Sequence, residues 1–154
     1  PGGFFRARRA TVAELACGRG GDLGKWRKAI ADVALVGVDL SAESLKEAER
    51  RWRALLSSSA NGRQSGSSSK RRFGGGASSS SSNNFAFERA DLGDPNFPNL
   101  LAALVRKASP SFKVADIVSC HFALHYACGA RRRIEACLDA IAAVLADRGV
   151  FVAT

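Results

Sequence analysis

The sequence predicts an α/β fold of the Rossmann-like type, in which a mostly parallel sheet carries helices on both faces. Short apolar runs typical of buried strands alternate with amphipathic helical segments along most of the 154 residues. The predicted order is β-α-β-α-β-α-β-α-β, so a helix joins each strand to the next, as parallel strands require. Glycine or acidic residues follow several of the strands, and folds of this type bind ligands at the carboxyl ends of their strands.

The first strand and the first helix are predicted on either side of a glycine-rich turn. Residues 11–16 are mostly apolar and lead directly into the turn sequence CGRGG at residues 17–21. Asp22 stands at the N-cap position of a helix over residues 23–30. The turn lets a ligand approach the backbone closely after the first strand.

The second strand is predicted over residues 34–38 and ends in Asp39, and Ser41 can cap the helix that follows. The apolar positions of this helix share one face. Its other face carries Glu and Arg at i,i+4 spacing, which supports an exposed helical surface. The apolar face consists of Leu45, Ala48, Trp52 and Leu55, and the charged face carries the pairs Glu47–Arg51 and Glu49–Arg53.

Serine and glycine dominate residues 57–84, with only scattered basic residues among them. Such a stretch cannot bury enough apolar surface to offset its ordering entropy, so we predict a disordered insertion within the domain. Two interpretations remain open, which are a solvated loop without function and a basic tether for RNA.

The remaining elements follow in the same alternation. Residues 85–91 alternate like a strand that ends in Asp91, and leucines near residue 100 predict a helix. A strand is predicted over residues 114–120, a helix over 131–146, a turn at 147–149 and a fifth strand from Val150. The chain begins with proline and stops within a strand-like run, so we expect a partial domain over residues 10–154 that is truncated at its C-terminal end.

Composition narrows the classes of partner and site. The formal net charge of +9 favours polyanionic partners. No apolar run has the length of a membrane span, and no signal peptide is evident, so no membrane partner is expected. Four cysteines without a CxxC pair indicate reduced thiols in an intracellular protein, and Cys120 is interpreted as a packing residue. His121 and His125 are four residues apart but lack an HExxH motif, so no metal is expected.

Acidic residues at the strand ends suggest a nucleoside ligand. Asp39 comes 21 residues after Gly18, where a carboxylate can accept hydrogen bonds from both ribose hydroxyls. Asp91 can accept a hydrogen bond from the amino group of adenine. The turn matches neither GxGxxG nor a GK[ST] phosphate loop, so a nucleoside without pyrophosphate fits better. S-adenosylmethionine is the common cofactor of that kind, and the pattern predicts a class I S-adenosylmethionine-dependent methyltransferase fold.

Two motifs narrow this prediction to a family. Residues 17–26, CGRGGDLGKW, resemble the first motif of eukaryotic and poxviral mRNA cap guanine-N7 methyltransferases. Residues 116–126, DIVSCHFALHY, are similar to the second strong signature of that family, and residues 149–154 resemble its strand after the fourth helix. Methyltransferases in general share the first glycines but not both motifs. The resemblance extends from about residue 12 to residue 154, apart from the insertion.

The resemblance implies roles for ten residues. It assigns the methionine part of S-adenosylmethionine to Ala16 and Gly18, ribose to Asp39, adenine to Asp91, and the wall of the cofactor pocket to His121 and Tyr126. For capped RNA, it assigns the triphosphate to Arg19, Lys25 and Arg51, and the cap guanosine to His125. It further implies a nuclear location, with capped RNA and other capping or transcription machinery as partners.

The implied reaction is methyl transfer to N7 of the cap guanosine, which has a lone pair and no proton to lose. We therefore expect no catalytic acid or base. Glu14, Ala16 and His121 depart from the aspartate, glycine and glutamine usual in the family, and these departures bear on cofactor affinity. The alternatives are another S-adenosylmethionine-dependent methyltransferase, acting on a small molecule or a protein, and a non-catalytic RNA-binding remnant of the fold.

Overall fold

The computed structural model describes residues 7–61 and 84–154, which contain five strands and four α-helices in alternation. A short 3₁₀ helix, η1 (Leu124–Ala127), lies before the last α-helix. The predicted order of elements is confirmed. The strands are β1 (Ala7–Leu15), β2 (Ile30–Asp39), β3 (Phe85–Arg89), β4 (Ala115–Cys120) and β5 (Leu145–Ala153), and the helices are α1 (Leu23–Ala29), α2 (Ala42–Asn61), α3 (Phe97–Ala108) and α4 (Arg131–Val144).

All strand pairs are parallel, and the strand order is β3-β2-β1-β4-β5. The central strand β1 pairs Leu15 with Val38 of β2 and with Cys120 of β4, so the carboxyl ends of these three strands are level. The chain builds the sheet outward from β1 in one direction and then crosses to β4 on the other side. The carboxyl ends of β1 and β4 therefore form the topological switch point at which such sheets bind ligands.

Each face of the sheet buries its own apolar core. Helices α1 and α2 cover one face, where Leu23 and Trp52 are fully buried. Helices α3 and α4 cover the other face, with Phe97 and Val144 almost completely buried. Because both faces are covered, residues Val33 to Val38 of β2 are all buried, as a strand inside a parallel sheet requires. Among the described residues, no helix combines the length and the apolar character needed to cross a membrane.

Two elements extend beyond their predicted limits. Strand β2 begins at Ile30, not at residue 34, because β1 already begins at Ala7 and the two residues pair. Helix α2 continues to Asn61, so the predicted insertion is wrong for its first five residues. In this last part of α2, the hydroxyl of Ser57 donates a hydrogen bond to the carbonyl of Ala54 at 2.9 Å, so the serine side chain is satisfied within the helix. The prediction for residues 62–83 lies outside the described residues.

Strand β5 also begins earlier than predicted, at Leu145, and α4 ends at Val144. Leu145 pairs with Ala115, and the next pair is Val150 with Ile117. Four residues of β5 therefore stand opposite one residue of β4. The predicted turn at residues 147–149 lies within this bulge, and the strand continues through it to Ala153.

Candidate functional site

Two cavities lie at the carboxyl ends of the strands and share Ala16. The first, here called the turn cavity, has a volume of about 500 Å³ and lies against the turn after β1. The second, here called the acidic cavity, has a volume of about 410 Å³ and lies between the ends of β2, β3 and β4. Both volumes are in the range of small-molecule pockets. The lining includes Glu14, Cys17, Asp22, Lys25, Trp26, His121 and Phe122 in the turn cavity, and Asp39, Leu40, Ala90, Asp91, Leu92, Ala123, Tyr126 and Arg133 in the acidic cavity.

The turn after β1 bends sharply through three residues in the left-handed region. Ala16, Gly18 and Gly20 have φ values of 54°, 53° and 75°. At Gly20, a Cβ would lie 2.4 Å from Cδ1 of Leu23, so only glycine lets the turn pack against α1. Ala16 holds a conformation that costs an L-residue with a Cβ about 1–2 kcal/mol. The local backbone strain therefore lies at the residue that both cavities share.

Asp39, the last residue of β2, is hydrogen-bonded to the turn after β1. Its Oδ2 accepts a hydrogen bond from the amide of Gly18 at 2.8 Å, and its Oδ1 accepts one from the amide of Ser41 at 2.8 Å. Each carboxylate oxygen has room for a second hydrogen bond. Asp39 therefore organises the loop backbone and can still accept hydroxyl protons from a ligand in the acidic cavity.

Asp91 lines the same cavity as Asp39 and forms an ion pair with Arg133 of α4. Its Oδ1 accepts hydrogen bonds from Nη2 of Arg133 at 2.8 Å and from the amide of Gly93 at 2.9 Å. The hydrogen bond from Arg133, followed by that from Gly93, lowers the pKa of the Asp91 carboxyl. The acidic cavity thus holds two carboxylates and a guanidinium.

Glu14 is a buried carboxyl group on the wall of the turn cavity. Only 5% of its surface is exposed, and its Oε2 accepts a hydrogen bond from Nε1 of Trp26 at 3.1 Å. Burial raises the pKa of Glu14 to about 7, although the bond from Trp26 acts in the opposite direction. A buried carboxyl group with a pKa in this range changes its charge near neutral pH.

The segment after β4 brings aromatic side chains to the cavities. The amide of Phe122 donates to the carbonyl of Thr154 at 2.8 Å, and φ at Phe122 is 56°. This bend leaves Phe122 79% exposed beside the turn cavity. His121 lines the same cavity, with Nδ1 3.3 Å from Oγ1 of Thr154. Tyr126 lines the acidic cavity, and its ring centroid lies 4.0 Å from that of the exposed His125.

The three basic residues predicted for triphosphate binding are exposed and paired with carboxylates. Arg19 lies 3.8 Å from Glu43, in a surface depression that also includes Lys46 and Arg50. Lys25 forms an ion pair with Asp22 and lines the turn cavity. Nε of Arg51 lies 2.7 Å from Oε1 of Glu47, which confirms the predicted helical pair. The structure brings only Lys25 of the three into the lining of the two cavities.

Two cysteines near the cavities are buried thiols. Burial raises the pKa of Cys17 to about 12 and also raises the pKa of Cys120. A thiol in such surroundings stays protonated and is a poor nucleophile. The interpretation of Cys120 as a packing residue is therefore consistent with its surroundings.

The two cavities bring together six of the ten residues for which the sequence predicted a site role, and they add Arg133, for which it predicted none. Gly18, Arg19, Arg51 and His125 line neither cavity. The acidic cavity unites Ala16, Asp39, Asp91 and Tyr126, and the turn cavity unites Ala16 with Lys25 and His121. Asp22 and Trp26 belonged to the quoted motif but had no site role assigned. Arg133 is the third of three consecutive arginines on α4, and nothing in its local pattern distinguishes it from Arg131 and Arg132.

Comparison with protein families gives a match over nearly the whole chain. The model of the mRNA (guanine-N(7))-methyltransferase domain matches residues 4–154. The chain is 29% identical over 143 residues to mRNA cap guanine-N(7) methyltransferase 1 of Arabidopsis thaliana, covering 93% of this chain and 32% of that protein. It is 31% identical over 147 residues to the mRNA cap guanine-N(7) methyltransferase of Lodderomyces elongisporus, covering 94% and 23%. The chain thus spans a third or less of the length of these relatives.

Solved structures share the fold at low sequence identity. One is a SAM-dependent methyltransferase from Thiobacillus denitrificans in complex with S-adenosyl-L-homocysteine, with a TM-score of 0.55 and 19% identity, covering 97% of this chain and 43% of that chain. Another is the sugar N-methyltransferase KedS8 from Streptoalloteichus, with a TM-score of 0.54 and 20% identity, covering 96% and 40%. These similarities support the predicted methyltransferase fold.

Proposed function

This chain belongs to the mRNA (guanine-N(7))-methyltransferase family, and from that premise we propose that it transfers a methyl group from S-adenosylmethionine to N7 of the guanosine cap of mRNA. The observation that carries the proposal is the family match over residues 4–154, which includes both motifs and every strand of the sheet. The relatives are much longer than this chain, so activity, substrate and partners are proposed for it and not transferred as findings.

The acidic cavity fits the nucleoside part of the cofactor. Asp39 can accept hydrogen bonds from the ribose hydroxyls, and Asp91 can accept one from the adenine amino group, since neither carboxylate has used all of its acceptor positions on described partners. Leu40 and Ala90 offer apolar surface to the base, and the ring of Tyr126 borders the same space. The residues present therefore suit a nucleoside better than a polyphosphate, which the two carboxylates would repel.

The turn cavity fits the methionine part. It meets the acidic cavity at Ala16, so one ligand can extend from one cavity into the other. The carboxylate of Asp22 and the carboxyl group of Glu14 can attract the ammonium group of the methionine part. In this arrangement Ala16 approaches the ligand and His121 closes one side, while Gly18, whose amide donates to Asp39, holds the shape of the turn.

The cap would approach from the solvent side of the turn cavity. Lys25 lies on the wall of that cavity. Arg19 is exposed in the turn after β1, and Arg51 is exposed on α2. For these three residues to bind the triphosphate, each would exchange its present carboxylate partner for a phosphate oxygen. Such surface pairs are weak, so the exchange costs little. His125 would contact the cap guanosine.

Methyl transfer to N7 of guanosine requires that the two substrates be positioned, but it requires no proton transfer. When bound, S-adenosylmethionine supplies an electrophilic methyl group on a positively charged sulfur. The chain's residues hold the two substrates in line and exclude water between them. Orientation of this kind can lower the barrier by roughly 7–11 kcal/mol. We therefore assign no general acid or base to this site, and Cys120 is too deeply buried to act as a nucleophile.

The proposal is tested by transfer of labelled methyl from S-adenosylmethionine to RNA that begins with GpppN. The purified protein is expected to label this RNA and not the same RNA that already carries an N7-methylated cap. Labelling of both RNAs would place the methyl group elsewhere and contradict the proposal. Cofactor binding without labelling would favour a methyltransferase with another acceptor, and absence of both would favour the RNA-binding remnant.

A nuclear location and contacts with other capping or transcription machinery are further proposals that rest on the family's substrate. Cap methylation acts on new transcripts, so the enzyme and its RNA should meet where transcripts are made. A fluorescent fusion in the source cell is expected to concentrate in the nucleus. Exclusion of the fusion from the nucleus would contradict this proposal.

A further inference from the structure

An ion pair between Arg133 of α4 and Asp91, which follows β3, lies in the wall of the acidic cavity. Arg133 and Asp91 are 42 residues apart in the chain, yet Nη2 of Arg133 lies 2.8 Å from Oδ1 of Asp91. Both side chains are only partly exposed and both line the acidic cavity. Gly93 makes room for the guanidinium, because a Cβ at this residue would lie 2.6 Å from Cζ of Arg133.

The contacts of Asp91 are unequal between its two oxygens. Oδ1 accepts hydrogen bonds from both Arg133 and the amide of Gly93. Among residues 7–61 and 84–154, no hydrogen bond to Oδ2 is found. An aspartate side chain rotates easily about its last torsion. With the amide of Gly93 as the only donor, either carboxylate oxygen could accept the hydrogen bond. Arg133 supplies the second contact, which selects one orientation and leaves Oδ2 available.

We propose that Arg133 is a positioning residue that orients Asp91 so that one carboxylate oxygen accepts a hydrogen bond from the 6-amino group of the cofactor's adenine. This inference rests on the proposed function, since it requires the nucleoside to occupy the acidic cavity. It assigns to Arg133 a role in selecting the base, because an oriented acceptor favours an amino donor and repels an oxygen at the same place. Arg133 also offsets part of the negative charge of Asp39 and Asp91.

The test compares the affinities for S-adenosylhomocysteine and for S-inosylhomocysteine, in which the 6-amino group is replaced by a 6-oxo group. In the wild-type protein, calorimetry is expected to show a strong preference for the amino form. Arg133→Met is expected to reduce that preference by about 10- to 100-fold, the loss expected for a misplaced hydrogen bond to a charged group. Arg133→Lys, which restores a cation that can reach Asp91, is expected to recover part of the preference.

Arg132→Met is the matched control, because it removes the same charge from a neighbouring exposed position on α4. It is expected to keep the wild-type preference. A purely structural role for Arg133 would lower the unfolding midpoint of Arg133→Met without changing the ratio of the two affinities, and that result would overturn the inference while leaving the proposed function intact. Wild-type protein that binds neither compound would overturn both, and equal binding of both compounds would overturn the role of Asp91 together with that of Arg133.

Discussion

At the scale of single residues, Ala16 combines a functional position with an unfavourable conformation. It stands where the family usually has glycine, it lies between the two cavities, and its φ of 54° is in the region that glycine adopts without penalty. The sequence showed the departure from the family, but only the backbone shows its energetic consequence. The methyl group also occupies space at the point where one ligand would pass between the cavities.

Ala16→Gly is therefore expected to stabilise the fold by about 0.5–1 kcal/mol, the relief of left-handed strain less the greater chain entropy of glycine. It is also expected to raise the affinity for S-adenosylhomocysteine. Denaturant unfolding and calorimetry measure the two effects. Ala13→Gly is the control, since Ala13 is fully buried within β1 and this change should destabilise the fold by about 1 kcal/mol or more. Loss of stability in Ala16→Gly would show that the left-handed conformation of Ala16 is not strained.

Glu14 predicts a specific dependence of stability on pH. Its pKa is about 7 in the folded protein and 4.5 as the ordinary value, so the folded state holds a proton that the unfolded state has already released. The contribution of Glu14 is therefore fully present below about pH 4.5 and is lost as the pH rises through about 7. The loss amounts to about 3 kcal/mol.

Glu14→Gln removes the titration but keeps an oxygen that can accept from Trp26. Relative to this variant, the wild-type protein is expected to lose stability between pH 5 and pH 8 in urea unfolding. Glu88→Gln, which changes an exposed residue of β3, serves as the control and should follow the wild-type profile. Parallel profiles for the wild type and Glu14→Gln would show that Glu14 is not the group responsible.

Among the secondary-structure elements, the strongest signals were the apolar runs and the capping residue Ser41. Asp22 stands at the N-cap position of α1, as predicted, but its side chain makes no capping hydrogen bond. The strand runs at β2 and β4 and the capping residue Ser41 each predicted an element that the structure contains. The limits were harder to predict, because they depend on neighbours that are distant in sequence. Strand β2 begins at Ile30 because Ala7 pairs with it, and β5 begins at Leu145 because Ala115 does.

Ser41 caps the N-terminus of α2. The hydroxyl of Ser41 accepts a hydrogen bond from the amide of Ser44 at 3.2 Å, which satisfies one of the free donors of the first turn. Ser41→Ala is expected to lower the free energy of unfolding by about 1 kcal/mol, while Ser41→Asn, which can also cap, should stay near the wild type. If the alanine variant is as stable as the wild type in denaturant unfolding, the cap does not support α2.

Across the whole molecule, the fold brings six of the ten residues with a predicted site role to two cavities at the carboxyl ends of the strands. A parallel sheet with order β3-β2-β1-β4-β5 brings the turn after β1 and the segment after β4 together at one edge. Asp39, Asp91 and Tyr126 meet in one cavity for this reason, although they are far apart in the chain. Arg133 could not be predicted, because its contact with Asp91 depends on how α4 packs and not on any local pattern.

The net charge of +9 leads to a prediction for RNA binding. Replacing Arg19 and Lys25 together by glutamine is expected to weaken binding of capped RNA and to reduce the slope of log affinity against log salt concentration by roughly 1.5. Replacing the exposed Arg106 and Lys107 of α3 removes the same charge from another element and should have a smaller effect. Fluorescence anisotropy at several salt concentrations measures both. Equal effects of the two pairs would indicate a general field and not a triphosphate site.

Calorimetric titration with S-adenosylhomocysteine tests whether the acidic cavity binds the nucleoside of the cofactor through Asp39. Asp39 also holds the amides of Gly18 and Ser41, so Asp39→Ala should lose about 2 kcal/mol of stability as well as its ligand contact. The control is Asp32→Ala, which removes an exposed carboxylate at the other end of the same strand.

The titration is made at a temperature at which unfolding curves show all three proteins to be folded. Heat of binding is expected for the wild type and for Asp32→Ala, and none that is detectable is expected for Asp39→Ala. A folded Asp39→Ala that binds S-adenosylhomocysteine with the affinity of the wild type would show that Asp39 does not bind the nucleoside.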